Sequence, residues 1–230
     1  MDKLIQENKE DNQDNQLQIK ASFFGAVNAL LAEFPERTQE IIKKRLGLIQ
    51  EKPKTLEKIG EDYEITRERV RQIITDTVNR LSKKRNSTVF KKAEDKIVFT
   101  IESNSGIIRE SEAVKKLTVS DYKEANSLIF LRECSNVILT AEENGFEKVW
   151  FLVREKFEQA KKAASLMREV LKSEKKLLSD DELVKRISTL NPEISEGEIM
   201  TYAGILSDVE KNKFGKWGMS DWMEIRPKGT

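Results

Sequence analysis

Residues 55–73, TLEKIGEDYEITRERVRQI, decide the fold of the first part of this chain. Thr55 and Thr66 each precede a run with helical spacing. Threonine is a favoured N-cap residue because its hydroxyl accepts a hydrogen bond from the first helical turn. A turn of about four residues separates the two runs, which is the layout of a helix-turn-helix. The stretch therefore predicts two short helices joined by a tight turn.

The second of these helices has two chemically different sides. At about 100° per residue its apolar side contains Val70, Ile73, Ile74, Thr77 and Leu81. The opposite side carries Glu68, Arg71, Gln72 and Thr75. Arginine bridges guanine O6 and N7, glutamate accepts from cytosine N4, and glutamine pairs with adenine. We therefore predict a base-reading helix, while the pattern alone leaves open that these are solvated surface charges.

Positive charge is concentrated in and after this helix. The whole chain has 41 Lys and Arg against 40 Asp and Glu, so its net charge of +1 does not indicate a partner. Between residues 67 and 92, nine basic residues stand against two acidic ones, Glu68 and Asp76. Such a local excess is typical of a segment that lies along phosphates.

This part of the chain resembles region four of bacterial primary-type sigma factors. The resemblance covers about residues 30–85 and is carried by FPER (34–37), KKRLGL (43–48), PKTLEKIG (53–60) and TRERVRQI (66–73). The family's domain binds the upstream promoter hexamer and the flap of RNA polymerase. The resemblance therefore implies double-stranded, promoter-like DNA and the RNA polymerase core as partners.

The resemblance also implies roles for individual residues. By the resemblance the base-reading positions are Arg67, Glu68, Arg71 and Gln72, and helical spacing adds Thr75 from the same side of the helix. The phosphate-contacting positions are Thr55, Lys83, Lys84 and Arg85. Glu64 departs from the family, which usually has glycine in this turn. Because a left-handed backbone there would cost about 1 kcal/mol, we expect the turn to differ slightly.

The remaining sequence predicts a mainly α fold of tandem helix-turn-helix and winged-helix domains, joined by a helical connector and carrying small β-wings. After the first domain the pattern predicts three helices and then two β-rich runs, 136–140 and 146–153. The hairpin signal Asn144-Gly145 lies between the two runs. The predicted parts are a disordered lead-in (1–16), a sigma region-four-like domain (17–92), a winged-helix-like domain (93–153), a helical connector (154–176) and a final winged helix (177–230).

The final part resembles HARE-type winged helices. Two capping boxes, SDDE (179–182) and SEGE (195–198), mark helix starts, and FGKWGMSDWMEI (214–225) alternates glycines and aromatics as a β-wing does. The family includes the amino-terminal domain of the polymerase delta subunit and accessory domains of restriction and chromatin proteins. We expect Trp217 and Trp222 to pack in the wing and core. The acidic balance of this part leaves a protein partner open.

Composition argues against catalysis. The chain has no histidine and one cysteine, Cys134, which excludes the usual His/Cys zinc sites and histidine-dependent chemistry. Asp180, Asp181 and Glu182 have the spacing of a helix cap, and no phosphate-cradling loop or nucleophile elbow occurs. We predict no enzyme activity, metal, cofactor or small-molecule substrate, and a core position for Cys134.

Three functions are compatible with these features. No apolar run approaches the roughly 20 residues that span a bilayer, and the start lacks a signal-peptide core, so we expect a cytoplasmic, nucleoid-associated protein. The leading hypothesis is a sequence-specific, sigma-like regulator of transcription initiation without a promoter-melting domain, because 34 residues precede Pro35. The alternatives are a delta-like polymerase accessory subunit acting through protein contacts and a DNA-sensing module of a restriction or modification system.

Overall fold

The computed structural model of the chain describes residues 22–49, 52–84, 87–119 and 121–226. Within these residues the fold is mainly helical, with ten helices and two small antiparallel sheets. That confirms the coarse fold class expected from sequence. The described residues form two compact units, one drawn from those up to Ile97 and from Val114–Asn136, the other from Val98–Ala113 and from Val137 onwards. The predicted lead-in lies outside the described residues.

The helices and strands have the following bounds. The helices are α1 Phe23–Leu31, α2 Glu36–Leu46, α3 Leu56–Asp62, α4 Arg67–Ser82, α5 Thr88–Glu102, α6 Glu110–Thr118, α7 Tyr122–Cys134, α8 Arg154–Glu174, α9 Asp180–Leu190 and α10 Glu196–Gly204. The strands are β1 Ile107–Arg109, β2 Leu139–Ala141, β3 Val149–Phe151, β4 Val209–Lys211 and β5 Trp217–Met219.

The helix-turn-helix in the first unit packs around a small apolar core. Ile41, Ile59 and Val70, from α2, α3 and α4, are fully buried against one another. Complete burial of each such side chain contributes about 1.5–3 kcal/mol. Thr77 and Leu81 continue the buried side of α4, as the helical spacing predicted. This core sets the angle at which α4 leaves the turn.

Helix α7 is tied to the first two helices of the same unit. The Glu124 carboxylate accepts hydrogen bonds from the backbone N–H groups of Phe23 (2.7 Å) and Phe24 (3.3 Å) at the start of α1. These donors have no partner within the helix, and the helix dipole favours an anion there. The Asn126 side chain donates to the carbonyl of Leu46 at the end of α2, at 2.8 Å. Cys134, at the end of α7, is buried as predicted, and burial raises the pKa of its thiol to about 12.

The first sheet of the second unit has the strand order β1-β3-β2, with both pairs antiparallel. Its hairpin joins the two predicted β-rich runs, and Ala141 pairs with Val149 across a loop of seven residues that contains Gly145. The prediction that the second run starts at Phe146 is wrong, because β3 begins at Val149. Phe146 instead pairs with Leu206 and packs its ring edge-on against Phe157, 5.4 Å between centroids.

Helix α8 lies where the sequence predicted a connector. Its buried residues are Phe157, Ala160, Ala163, Ala164, Met167, Val170 and Leu171. They belong to one continuous core that also includes Phe151, Leu183 and Trp217. The helix is therefore not only a spacer between domains, since its buried side fills the core of the second unit. The five-part division of the chain remains a prediction.

The second sheet pairs β4 with β5, and Leu178 adds a bridge to Trp217. Both predicted capping boxes form, at Ser179 with Glu182 and at Ser195 with Glu198. Trp217 is buried, and its Nε1 donates to the Asp180 carboxylate at 2.7 Å, which agrees with the expected packing role. Across the described ranges no group of three or more metal-ligating side chains comes together. None of the helices described is long and apolar enough to cross a bilayer.

Candidate nucleic-acid interface

The turn between α3 and α4 packs against a glycine of α3 and contains one strained residue of its own. A Cβ on Gly60 would meet the carbonyl oxygen of Ile65 at 2.6 Å, and the Ile65 N–H donates to the Gly60 carbonyl at 2.9 Å. Glu64 has a φ of 54°, in the left-handed region. Glu64 thus adopts the left-handed conformation that costs a residue other than glycine about 1 kcal/mol, so the expectation that the turn would differ because of this cost is wrong at Glu64.

Both helices of the motif start with the predicted threonine caps. The Thr55 hydroxyl accepts from the N–H of Lys58 at 3.2 Å, and the Thr66 hydroxyl accepts from the N–H of Arg69 at 3.1 Å. A hydroxyl that accepts in this way still has its own O–H to donate. Capping at Thr55 is therefore compatible with the predicted contact to a phosphate.

The five predicted base-reading residues form an exposed row on α4. Each of them is exposed in the structure: Arg67, Glu68, Arg71, Gln72 and Thr75. Val70, Thr77 and Leu81 are buried on the other side of the same helix. The helix therefore separates a packing side from a side that is open to a partner.

A two-point ion pair joins Glu68 and Arg71. Arg71 donates from Nε to one carboxylate oxygen at 2.9 Å and from Nη2 to the other at 2.7 Å. This hydrogen bond lowers the pKa of Glu68 and raises that of Arg71. Because both side chains are more than half exposed, the pair adds little stability, but it favours one orientation of the guanidinium.

Arg67 and Gln72 also have partners nearby. Arg67 Nε lies 2.7 Å from the carboxylate of Glu57 on α3, so this pair crosses the turn. The pKa of Glu57 is lowered chiefly by a hydrogen bond from the Glu57 backbone N–H to its own carboxylate. The positive charge of Arg67 lowers this pKa further. Arg69 donates to the Gln72 side chain at 3.3 Å. Sequence reasoning missed Glu57 and Arg69, although the Arg69–Gln72 spacing is visible in the sequence.

The predicted phosphate-contacting lysines differ from each other. Lys83 follows the last turn of α4 and is exposed. Lys84 is partly buried and forms an ion pair with Glu33, which lies between α1 and α2. Arg85 lies outside the described residues. A phosphate would therefore meet Lys83 directly, whereas Lys84 would have to exchange a carboxylate for it.

A polar cluster fixes the end of α3 just before the turn. The Asp62 carboxylate accepts from Lys54 at 2.7 Å and from Lys44 at 3.2 Å, and the Lys54 hydrogen bond is the main cause of its lowered pKa. The Tyr63 hydroxyl donates to Glu40 at 2.6 Å, and burial raises the pKa of this phenol. Since Lys44 and Glu40 lie on α2, the cluster joins α2 to the end of α3, just before the turn that leads into α4.

Residues 30–83 match the family model of sigma-70 region 4. These residues contain the whole of α2, α3 and α4, so this helix-turn-helix is of the sigma-70 region 4 type. Residues 1–29 and 84–230 lie outside this match.

One curated relative is the RNA polymerase sigma factor RpoD of Helicobacter pylori, which is 39% identical to this chain over 56 residues. The aligned region covers 24% of this chain and 8% of that protein, so the similarity concerns one domain of a much longer relative. No solved structure matches the chain.

Proposed function

We propose that this protein is a sequence-specific, sigma-like regulator of transcription initiation that acts on the nucleoid in the cytoplasm. In this proposal α4 binds in the major groove of promoter-like duplex DNA. The observation that carries the proposal is the exposed row on α4, which lies within the residues matched to sigma-70 region 4.

Base recognition would use the first two turns of α4. Arg71 presents a planar guanidinium, which fits guanine O6 and N7, while Glu68 accepts from cytosine N4 and Gln72 pairs with adenine. Thr75, one turn further along, offers a methyl group to thymine. The Glu68–Arg71 pair restricts the arginine before DNA arrives, and a restricted side chain loses less entropy on binding.

Phosphate contacts would set the position of the helix. Thr55 donates from its hydroxyl at the start of α3, and Lys83, Lys84 and Arg85 follow α4. Neutralised phosphates release counterions, so binding weakens as salt rises, with a slope of about −0.9 per phosphate contact. The exposed Lys83 contributes more to phosphate binding than Lys84, because Lys84 must first break its ion pair with Glu33.

Selection of duplexes from a random pool by the full chain tests the proposal. We expect enrichment of a defined motif, followed by binding whose logarithm falls linearly with the logarithm of salt concentration. Recovery of a pool as diverse as the starting one, at a salt concentration where the protein still binds DNA, would contradict base reading.

The same order of helices and strands occurs twice after the first motif, and this order supports two winged-helix domains. Residues 88–151 run helix, strand, helix, helix, hairpin, and their sheet has the order β1-β3-β2. Residues 154–219 repeat that order, with Leu178 in the place of the first strand and paired to β5. We propose tandem winged helices, the second of them HARE-type.

Acidic helix starts in the second unit favour the RNA polymerase core as a further partner. The first turns of α9 and α10 carry Asp180, Asp181, Glu182, Glu196 and Glu198, and like charge repels DNA phosphates. A polymerase accessory subunit that acts through protein contacts is therefore the second candidate function.

Run-off transcription with polymerase and a complete sigma factor separates the two candidates. For a DNA-reading regulator, Arg71→Ala abolishes the change in transcript level that the wild-type protein causes. An effect that survives Arg71→Ala, together with retention on immobilised core polymerase, would favour the accessory subunit.

A further inference from the structure

The tip of the β4–β5 hairpin exposes an aromatic side chain among lysines. Phe214 is 76% exposed, and Lys211, Lys213 and Lys216 surround it in sequence with no acidic residue between them. The Lys213 ammonium lies 5.0 Å from the centre of the Phe214 ring. The tip therefore combines one exposed aromatic ring with an uninterrupted local excess of positive charge, which complements an anionic partner.

The tip has a defined conformation. The side-chain oxygen of Asn212 accepts from the N–H groups of Phe214 (2.9 Å) and Lys216 (3.0 Å). Its backbone N–H donates to the Lys216 carbonyl at 2.9 Å, and Gly215 supplies the positive φ of 74° that closes the turn. Phe214 is therefore held outward by the turn rather than left there by a flexible loop.

The base of the hairpin is anchored in the second unit. Trp217 is buried and donates to Asp180, and the Lys211 ammonium lies 2.8 Å from the same carboxylate. Leu178 and Trp217 exchange two backbone hydrogen bonds, at 3.0 and 2.7 Å. Lys211 thus serves the fold, whereas Lys213 and Lys216, both exposed, are placed to meet a partner.

We propose that residues 212–216 form a second DNA contact, in which Phe214 enters the minor groove of duplex DNA and Lys213 and Lys216 bind the adjacent phosphates. Minor-groove proteins insert single apolar side chains between base steps, and lysines complement the phosphates on either side. Because the tip carries lysines and no carboxylate between residues 211 and 216, it complements a polyanion better than the mixed charges of a protein surface.

Helix α10 is a poor alternative for the DNA contact of this unit, because its first turn is acidic. Glu198 is engaged by Lys156 at 2.7 Å and by the Ser195 cap. A weak contact by the hairpin alone still contributes when the same chain carries a stronger one, since linked contacts act at high effective concentration. The inference rests on the proposed function, because it requires that α4 supplies the stronger DNA contact.

The test compares the full chain on two duplexes, the selected site with A·T-rich flanks on both sides and the same site without flanks. 2-Aminopurine placed at successive flank positions reports unstacking of the bases. We expect the flanks to tighten binding by roughly five- to tenfold, the lower end of what aromatic–base contacts contribute, and one flank position to brighten. Phe214→Ala should lose both effects.

Phe99→Ala is the matched control, because Phe99 is the same residue type and 70% exposed, but lies on α5 and not on the hairpin. It should keep the flank effect and the fluorescence change. Lys213→Ala with Lys216→Ala should reduce the slope of the salt dependence by about one for each lysine.

Phe214→Ala binding like the wild type, or weakening no more than Phe99→Ala, would overturn the inference while leaving site recognition by α4 intact. If selection returns no site, the proposed function fails instead, and 2-aminopurine duplexes of mixed sequence at low salt still test the tip. A fluorescence change that depends on Phe214 would then support the tip alone, and its absence would overturn it.

Discussion

Helices α4 and α10 begin in the same way and present opposite surfaces. Each is capped by a hydroxyl, from Thr66 or Ser195, that accepts from the first turn. The exposed start of α4 carries Arg67, Arg69 and Arg71, whereas α10 starts with Glu196 and Glu198. The signals that start a helix are thus independent of what the helix binds, and the charge of its exposed side distinguishes the two units.

The ion pairs on the two helices also differ in exposure. In the Lys156–Glu198 pair the side chains are 31% and 21% exposed, whereas in the Arg71–Glu68 pair both exceed half. The Lys156 hydrogen bond lowers the pKa of Glu198 to about 2. The pair on α10 therefore supports the fold, whereas the pair on α4 lies on a surface that is accessible to a partner.

The largest expected effect concerns the core beneath α4. Ile59→Ala removes a fully buried side chain that packs against Val70, and such truncations cost about 2–5 kcal/mol of unfolding free energy. Urea denaturation followed by circular dichroism measures the loss.

Leu183→Ala, an equally buried truncation in the second unit, is the matched control for DNA binding. It should lower stability by a similar amount and leave the α4 surface intact. Loss of site recognition in folded Leu183→Ala protein would contradict the assignment of base reading to α4.

A smaller effect is expected at Glu198. A depressed carboxyl pKa contributes stability that is present above about pH 4.5 and disappears as pH falls toward 2. Glu198→Gln should therefore cost about 1.5–3 kcal/mol at neutral pH and flatten the pH dependence of stability in that window.

Tryptophan fluorescence is the measurement, because Trp150, Trp217 and Trp222 all lie in the second unit. Glu196→Gln, on the same helical turn, is the control and should leave the pH profile as in the wild type. An unchanged profile in Glu198→Gln would show that the Lys156 pair contributes nothing to the fold.

Lys83→Ala tests the phosphate contacts that should accompany base reading. It should weaken binding to all sequences alike and reduce the slope of the salt dependence by about one. Lys84→Ala should have less effect because of its pair with Glu33. Lys185→Ala, an exposed lysine on α9, serves as control, and a change of sequence preference in Lys83→Ala would argue against a phosphate role.

The smallest effect is a gain of stability at the turn. Glu64 and Lys175, one in each unit, have φ values of 54° and 52°. Glycine adopts this conformation without steric cost, so Glu64→Gly and Lys175→Gly should each stabilise the fold by about 0.5–1 kcal/mol. Glu61→Gly, inside α3, should destabilise it instead. Lower melting temperatures for the two turn variants would contradict the strain argument.

Local signals in the sequence predicted much of the candidate site. The caps at Thr55 and Thr66 and the exposed row on α4 follow from spacing and side-chain chemistry within a few residues. The Glu57–Arg67 pair and the ion pair of Lys84 with Glu33 join residues that the helical period does not relate. Such pairs depend on the angle between helices, which the sequence does not display.

Long-range packing explains the other differences. The apolar side of α8 is visible in the sequence, yet the pattern does not say whether another element covers it. In the structure it fills the core of the second unit. Phe146 leaves its predicted strand because Phe157 and Leu206 offer it a packing site. In the wing, the buried Trp217 and the exposed Phe214 are both aromatic, and only the fold separates their roles.

The most direct test of base reading by α4 compares Arg71→Ala with Arg186→Ala. Each arginine is exposed and paired with a glutamate, Arg71 with Glu68 on α4 and Arg186 on α9 with Glu174 at 2.7 Å. The measurement is the ratio of affinities for the selected site and for a scrambled duplex of equal length and composition. Arg71→Ala should weaken binding to the selected site by about 1–3 kcal/mol and reduce the ratio, while Arg186→Ala keeps the wild-type ratio. An unchanged ratio in Arg71→Ala would contradict the account.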